Sequence, residues 1–299
     1  FVIWAERYLQ NKHFGKHQEC NTRCLIDKVT RFEDEHKHPM NIDSMTADDL
    51  RVFADFLSSD YDISMNTIVT NMTLMRTVCN WVRKQGVTNN DPFFGYDMPK
   101  ALYGTPYFLT IQERDQVLDA DLTDDAELAE YRDMFVFQCM VGCRHSDLVT
   151  FTPKNIIDGG LEYIPIKTKG KLGDVVRVPL IPKAMAILDG HDHGDDEPIF
   201  PKHYNFKFND AIRRILKRAK VNRVVTVINP KTRLEEKKPI SDVATSHLAR
   251  RTFIGNLYRM VKDPDLVASM SGHAKGSVAF ARYRVIDDDM KKSLVELIQ

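Results

Sequence analysis

Four short segments of the 299-residue chain pair an ionisable side chain with an apparent element boundary. They are Gly142-Cys143-Arg144-His145-Ser146-Asp147-Leu148, Lys167-Thr168-Lys169-Gly170-Lys171, His247-Leu248-Ala249-Arg250, and Ser271-Gly272-His273 with Tyr283 ten residues further on. His247 and Arg250 are three residues apart, so on a helix they share a face, and two donors on one face can grip one anion. Guanidinium groups stay charged and offer bidentate forks suited to phosphate oxygens. A tyrosine hydroxyl, with an ordinary pKa of about 10, attacks near neutral pH only with a positive pocket or a base beside it. Each segment alone has a plainer explanation. Arg144 reads as a surface arginine at a helix start, His247 and Arg250 as a solvated helix face, His273 as a turn or core histidine, and Tyr283 as a half-buried aromatic.

The elements that must position these residues can be read from periodicity. From residue 1 to about 95 the apolar positions recur at helical spacing: Trp4, Tyr8 and Leu9; Leu25, Val29 and Phe32; Leu50, Phe53 and Leu57; Ile68, Met72, Met75 and Val78. That predicts roughly four helices in a small bundle, with breaks at Lys12 to Lys16, His36 to Pro39 and Ser58 to Ser64. The turn-rich stretch from Thr88 through Pro99 and Pro106 lacks periodicity. We therefore expect a domain at 1–97, a linker at 98–107 and a second domain at 108–299. Thr110 and Glu113 form a capping-box pattern at the start of a helix. Leu128, Tyr131, Phe135, Cys139 and Met140 mark a more apolar helix that Gly142 can end. Residues 155–166 and 175–180 read as short antiparallel strands around an Asp158-Gly159-Gly160 turn and a Lys/Gly-rich turn. Helices are expected again at about 183–189, 205–219, 245–261 and 264–270, with a hairpin-like insert over 224–240. No internal repeat stands out. The predicted fold class is mainly α with a small antiparallel β-sheet: a helical domain followed by an α+β domain.

Composition excludes several classes. Hydrophobic residues make up 43% and charged residues 28% of the chain, and no apolar run approaches the roughly 18 residues that span a bilayer. No secretory signal pattern is visible, which points to the cytoplasm. Phe1-Val2-Ile3-Trp4-Ala5 begins in mid-helix pattern, so the start of the natural protein is expected to have been removed. The five cysteines are odd in number and hold no CxxC pair, so they read as reduced, mostly buried thiols. His13, His17, Cys20 and Cys24 have helix spacing suited to zinc; the reading preferred here puts Gly15 in a loop and Cys24 in the core. The 42 basic and 42 acidic residues cancel. Residues 205–262 are nevertheless rich in Lys and Arg, whereas 119–133 and 191–197 are acidic, so one face can be basic on a neutral protein. No Walker loop and no carboxylate cluster of a two-metal nuclease is present, so no metal or nucleotide cofactor is implied.

In order and spacing, the four segments resemble the signature of the tyrosine recombinase family of phage and transposon integrases. The Arg box is matched at Arg144, the His-x-x-Arg box at His247 and Arg250, the Ser-Gly-His at Ser271 to His273, and the nucleophile at Tyr283. The match covers residues from about Phe108 to the end; the N-terminal region resembles the family's core-binding domain in size and class only. The resemblance implies a C-shaped clamp on double-stranded DNA and cleavage through a covalent 3′-phosphotyrosyl bond. It further implies a homo-tetramer on paired sites, accessory DNA-bending proteins and the movement of a mobile element, with no cofactor. Arg144 and Arg250 would clamp the phosphate, His247 and His273 would assist, and a lysine would protonate the leaving 5′ hydroxyl. Lys167 is chosen for that acid because of the Lys-Thr before the turn; the longer turn keeps Lys169 as its competitor. Asp147 reads as a helix-start and structural residue rather than a catalytic one. The segment 290–298 has apolar spacing for a short helix that docks on a neighbouring protomer or on its own domain. A type IB topoisomerase is the mechanistic alternative and a DNA-binding regulator without catalysis the non-enzymatic one.

Overall fold

Polar side chains that satisfy free amides open several helices of the computed structural model, which describes residues 1–11, 14–168, 175–191, 194–261, 263–273 and 295–296. Thr46 and Asp49 close a reciprocal capping box, Ser64 accepts from the Thr67 amide at 3.2 Å, and Thr110 pairs with Glu113 as the sequence predicts. The chain divides into two compact units. One comprises Phe1–Tyr103 with Ile228–Glu236, the other Gly104–Val227 with Lys237–Gln299.

In the first unit, α1 (Val2–Gln10), α2 (Lys16–His36), α3 (Ala47–Ser59) and α4 (Met65–Lys84) are the four helices expected from periodicity. Their apolar stripes meet in one core of Tyr8, Leu25, Val29, Phe32, Leu50, Phe53, Leu57, Met72, Met75 and Val78, with Phe32 edge-on to both Phe53 and Phe56. Two expectations change. Cys24 is exposed rather than in the core, as is Cys20, because both lie on the outward face of α2; Cys79, Cys139 and Cys143 are the buried thiols. No group of three metal-ligating side chains converges among the described residues, and His13 lies outside them. The division between the units falls at Tyr103 and Gly104. Residues 228–236, placed by the sequence reading in the second domain, group with the first unit. There the Met65 amide donates to the Pro230 carbonyl at 3.2 Å, Lys231 pairs with Asp62, and Arg233 donates to the Lys100 carbonyl at 3.2 Å.

The second unit is built around α6 (Ala126–Val141), ten of whose residues are buried, including every one from Met134 to Val141, so its second half is enclosed on all sides. Packed on it are α5 (Ile111–Leu118), α8 (Pro182–Asp189), α9 (Asn205–Arg218) and α11 (Ser246–Val261). A single turn, α7 (His145–Leu148), follows α6. The antiparallel sheet runs in the order β1 (Ile156–Ile157), β2 (Gly160–Tyr163), β3 (Val176–Pro179), with Leu161 opposite Val178 and Tyr163 opposite Val176. A second, two-stranded sheet pairs β4 (Val224–Ile228) with β5 (Glu235–Pro239), and α10 (Ile240–Val243) links it to α11, while α12 (Pro264–Ser271) ends the described helices before His273. No described helix is long and apolar enough to cross a membrane.

Candidate active site

The site begins where α6 must stop. Gly142 has φ 68°, a left-handed conformation that side chains rarely adopt, and a Cβ there would lie 2.2 Å from the Phe253 ring of α11. This glycine lets α11 approach the end of α6 closely. The next residues are held by the backbone: Gln138 Nε2 donates to the Cys143 carbonyl at 3.0 Å, and Arg144 is the extended residue that opens α7.

Arg250 enters from α11. It is 1% exposed, the largest fully buried side chain of the described residues, and its Nη1 donates to the Gly142 carbonyl at 2.7 Å. The plainer reading of a solvated helix face therefore fails for Arg250, because α11 lies against α6 along that side. A buried guanidinium needs fixed acceptors. Besides Gly142, the His273 ring supplies one, with Nη2 at 3.1 Å from Nδ1 and 3.2 Å from Nε2.

His273 is delivered by the end of α12. Asp263 caps the helix start by accepting from the Asp265 and Leu266 amides, and Gly272 ends it with φ 63°, seated against Val176 and Pro165. Ser271 Oγ lies 2.8 Å from His273 Nδ1 and 2.8 Å from the Val267 carbonyl. The Ser271 hydroxyl thus links the His273 ring to the last turn of α12 and fixes the ring beside Arg250. Burial first, then the fields of Arg250, Arg144, His247 and Lys167, hold the His273 pKa down to about 3. Four cationic or imidazole side chains from three other segments thus act on one ring.

His247 stands exposed in the first turn of α11. Asn209 and Asn205 of α9 hold that turn, accepting from the Ser246 amide at 2.8 Å and the Ser246 hydroxyl at 3.2 Å. Lys167 lies in the short turn that follows β2, and the preceding amide, of Ile166, donates to Asp147 Oδ1 at 2.9 Å. Asp147 is 1% exposed. In a structural role, it ties the Arg144 turn to the Lys167 turn. Gln138, Asn205 and Asn209 were not singled out from sequence; the two asparagines, four apart on one face of α9, were the available signal. Tyr283 and Lys169 lie outside the described residues, as does most of the 290–298 segment.

The arrangement presents fixed donors to an anion. Arg144 Nη1 is buried and has no hydrogen-bond partner among the described residues, and a buried unpaired donor costs stability unless a ligand meets it.

Comparisons with known proteins identify the family of the chain. A model of the "Phage integrase family" matches residues 107–290, and one of the "Phage integrase SAM-like domain" matches residues 1–98. No individual curated protein matches the chain. Among solved structures, a lambda integrase dimer bound to a COC′ core site is 15% identical, with a TM-score of 0.69 over 96% of this chain and 95% of that one. A Tn1549 transposon integrase in complex with a circular intermediate DNA is 14% identical, with a TM-score of 0.70 over 98% of both chains. A lambda integrase tetramer bound to a Holliday junction is 15% identical, with a TM-score of 0.67 over 96% of this chain and 77% of that one. At such identity these likenesses speak to the fold.

Proposed function

Since the chain belongs to the phage integrase family and is a tyrosine-type site-specific recombinase, we propose that it cuts and rejoins duplex DNA through a covalent bond between Tyr283 and a 3′ phosphate. The observation that carries this reading is the convergence of Arg144, Lys167, His247 and Arg250 on His273. Attack by the Tyr283 oxygen forms the P–O(Tyr) bond and breaks the P–O5′ bond. Arg144 and Arg250 meet the charge that grows on the nonbridging oxygens in the transition state. The tyrosine proton passes to His247, and the leaving 5′ oxygen takes a proton from Lys167. Because the phosphotyrosyl bond retains the free energy of the broken phosphodiester, a 5′ hydroxyl from a second duplex reverses the step without a cofactor. Exchange between two sites needs two duplexes and four protomers, as the lambda integrase tetramer on a Holliday junction suggests. The outcome would be integration or excision of a mobile element, with accessory DNA-bending proteins assisting.

The test is a randomised duplex library with a nick beside each potential cleavage point, so that the leaving 5′ fragment diffuses away. Wild type should accumulate a denaturant-resistant adduct with a recoverable sequence, and Tyr283→Phe should not. An adduct that survives Tyr283→Phe, or no adduct with any duplex, defeats the mechanism. Two recovered duplexes should then exchange strands; relaxation of a supercoiled circle without exchange would indicate topoisomerase activity instead.

A further inference from the structure

One ring of the Arg144 turn has no use in the chemistry above. His145 follows Arg144 as the first residue of α7, and its ring is stacked on that of Phe208 in α9, with centroids 5.1 Å apart and planes at 29°. His145 Nε2 is buried without a hydrogen-bond partner among the described residues, so the ring offers its face rather than that nitrogen. Burial, then the charge of His203, holds the His145 pKa below its ordinary value, and a neutral ring can lie flat on an apolar one. Phe208 is firmly placed: it is 0% exposed, and α9 is seated on the core through Ala211, Ile212, Ile215 and Leu216 as well. Within the turn, the Asp147 and Leu148 amides donate to the Arg144 carbonyl at 3.0 and 2.9 Å, so Arg144 and His145 move as one piece.

The same helix also holds the His247 turn. Asn205, Phe208 and Asn209 stand at i, i+3 and i+4 and share a face of α9. Asn209 accepts from the Ser246 amide at 2.8 Å and Asn205 faces the Ser246 hydroxyl at 3.2 Å; Ser246 is the first residue of α11 and His247 the next. One helix face therefore touches the residue beside Arg144 and the residue beside His247. We propose that His145 is a positioning residue: its ring, laid on Phe208, ties the Arg144 turn to α9, which through Asn205 and Asn209 also holds the His247 turn, so that this helix sets the spacing between the phosphate-gripping arginine and the histidine that takes the tyrosine proton. This rests on the recombinase reading for its catalytic consequence, though not for the contacts themselves. Arginine and base must be placed together on one phosphate, so a slip of either turn against α9 slows the chemistry, while the hold on DNA, which is spread over many phosphates, stays.

His145→Ala removes the stack and His145→Phe keeps it. Without DNA, the Nε–H resonance of Arg144, identified by its loss in Arg144→Ala, should shift or broaden in His145→Ala and return in His145→Phe, while that of Arg250 stays in place. Should the alanine variant fold poorly, Phe208→Leu removes the stack from the side of α9 and should give the same shift. On a duplex that wild type cleaves, adduct formation at saturating protein should slow roughly ten- to hundredfold in His145→Ala with duplex affinity unchanged, and His145→Phe should restore it. Asn209→Ala, which frees the His247 turn, should slow it too, and the two losses should not multiply in the double variant, because a register already lost cannot be lost again. An Arg144 resonance that stays put in His145→Ala, or that moves equally in His145→Phe, overturns the proposal whatever the DNA result. An unchanged cleavage rate in His145→Ala overturns the positioning role, and losses that multiply overturn the shared register through α9. Equal movement of Arg250 marks general loosening and overturns it as well. A wild type that forms no adduct refutes the recombinase mechanism alone, since the resonances still decide whether the stack sets Arg144.

Discussion

Arg250 and His273 show how one residue serves both fold and site. Arg250 is buried against the Gly142 carbonyl and the His273 ring, so under the proposed mechanism its charge is fixed before DNA arrives and little reorganisation is left for the transition state. Lysine at this position keeps the charge but loses the fork. Arg250→Lys should lower the rate of adduct formation by a factor on the order of 10²–10³, measured on a nicked duplex under single-turnover conditions. For His273, whose pKa is held near 3 against an ordinary 6.5 by burial and then by the surrounding cations, the folded protein carries a neutral ring at neutral pH. Between about pH 6.5 and pH 3 the unfolded chain binds a proton that the folded chain refuses. This residue's contribution to stability is therefore complete above that window and declines as pH falls through it. NMR titration of the free protein should find the His273 ring neutral down to about pH 4, and a duplex phosphate in the site should move its titration upward; a ring titrating near 6.5 in the free protein would contradict the packing described.

At the scale of elements, the active site is a set of joints. Gly142 joins α6 to α11, Asp147 joins α7 to the turn after β2, and Gly272 joins α12 to β3 through Val176 and Pro165. Gly142→Ala combines a left-handed backbone with a methyl 2.2 Å from the Phe253 ring, and should cost about 2–4 kcal/mol of stability in thermal or denaturant unfolding. A second substitution, Phe253→Leu, should recover the part due to the clash and leave the part due to the backbone. Asp147→Ala removes the acceptor of the Ile166 amide; the buried amide left behind should cost roughly 1–3 kcal/mol. Adduct formation should fall alongside, toward the level of Lys167→Ala, because the lysine turn loses its anchor. Unchanged cleavage in Asp147→Ala would show that the turn needs no such tie.

For the whole molecule, zero net charge does not argue against DNA binding, because phosphates respond to local potential. If the chain neutralises 6–10 phosphates, its affinity for a labelled duplex should fall by about 10³–10⁵ between 50 and 200 mM salt. Fluorescence anisotropy across that range measures the slope, and a flat response would exclude a phosphate-tracking interface. The sequence changes from a helical repeat over residues 1–95 to a mixed pattern after 108, and the fold has two compact units, each of which buries its own apolar faces. That the 228–236 tip groups with the first unit was not legible, because it depends on Asp62, Met65 and Lys100, distant in sequence.

Local physical chemistry left clear marks in the chain. A helix start was visible as Thr110 and Glu113, α6 as apolar positions from Leu128 to Met140 that Gly142 ends, and the candidate chemistry as side chains with few alternative uses when seen in one order. Periodicity could place His247 and Arg250 on one helix, yet it could not say that Arg250 is buried and His247 exposed, since that depends on the helix lying across the end of α6. It put Cys24 inside when α2 turns that face outward. It could not reveal that Asp147 spans two turns, because strand pairing and helix docking bring those atoms together over distances that no short-range pattern records.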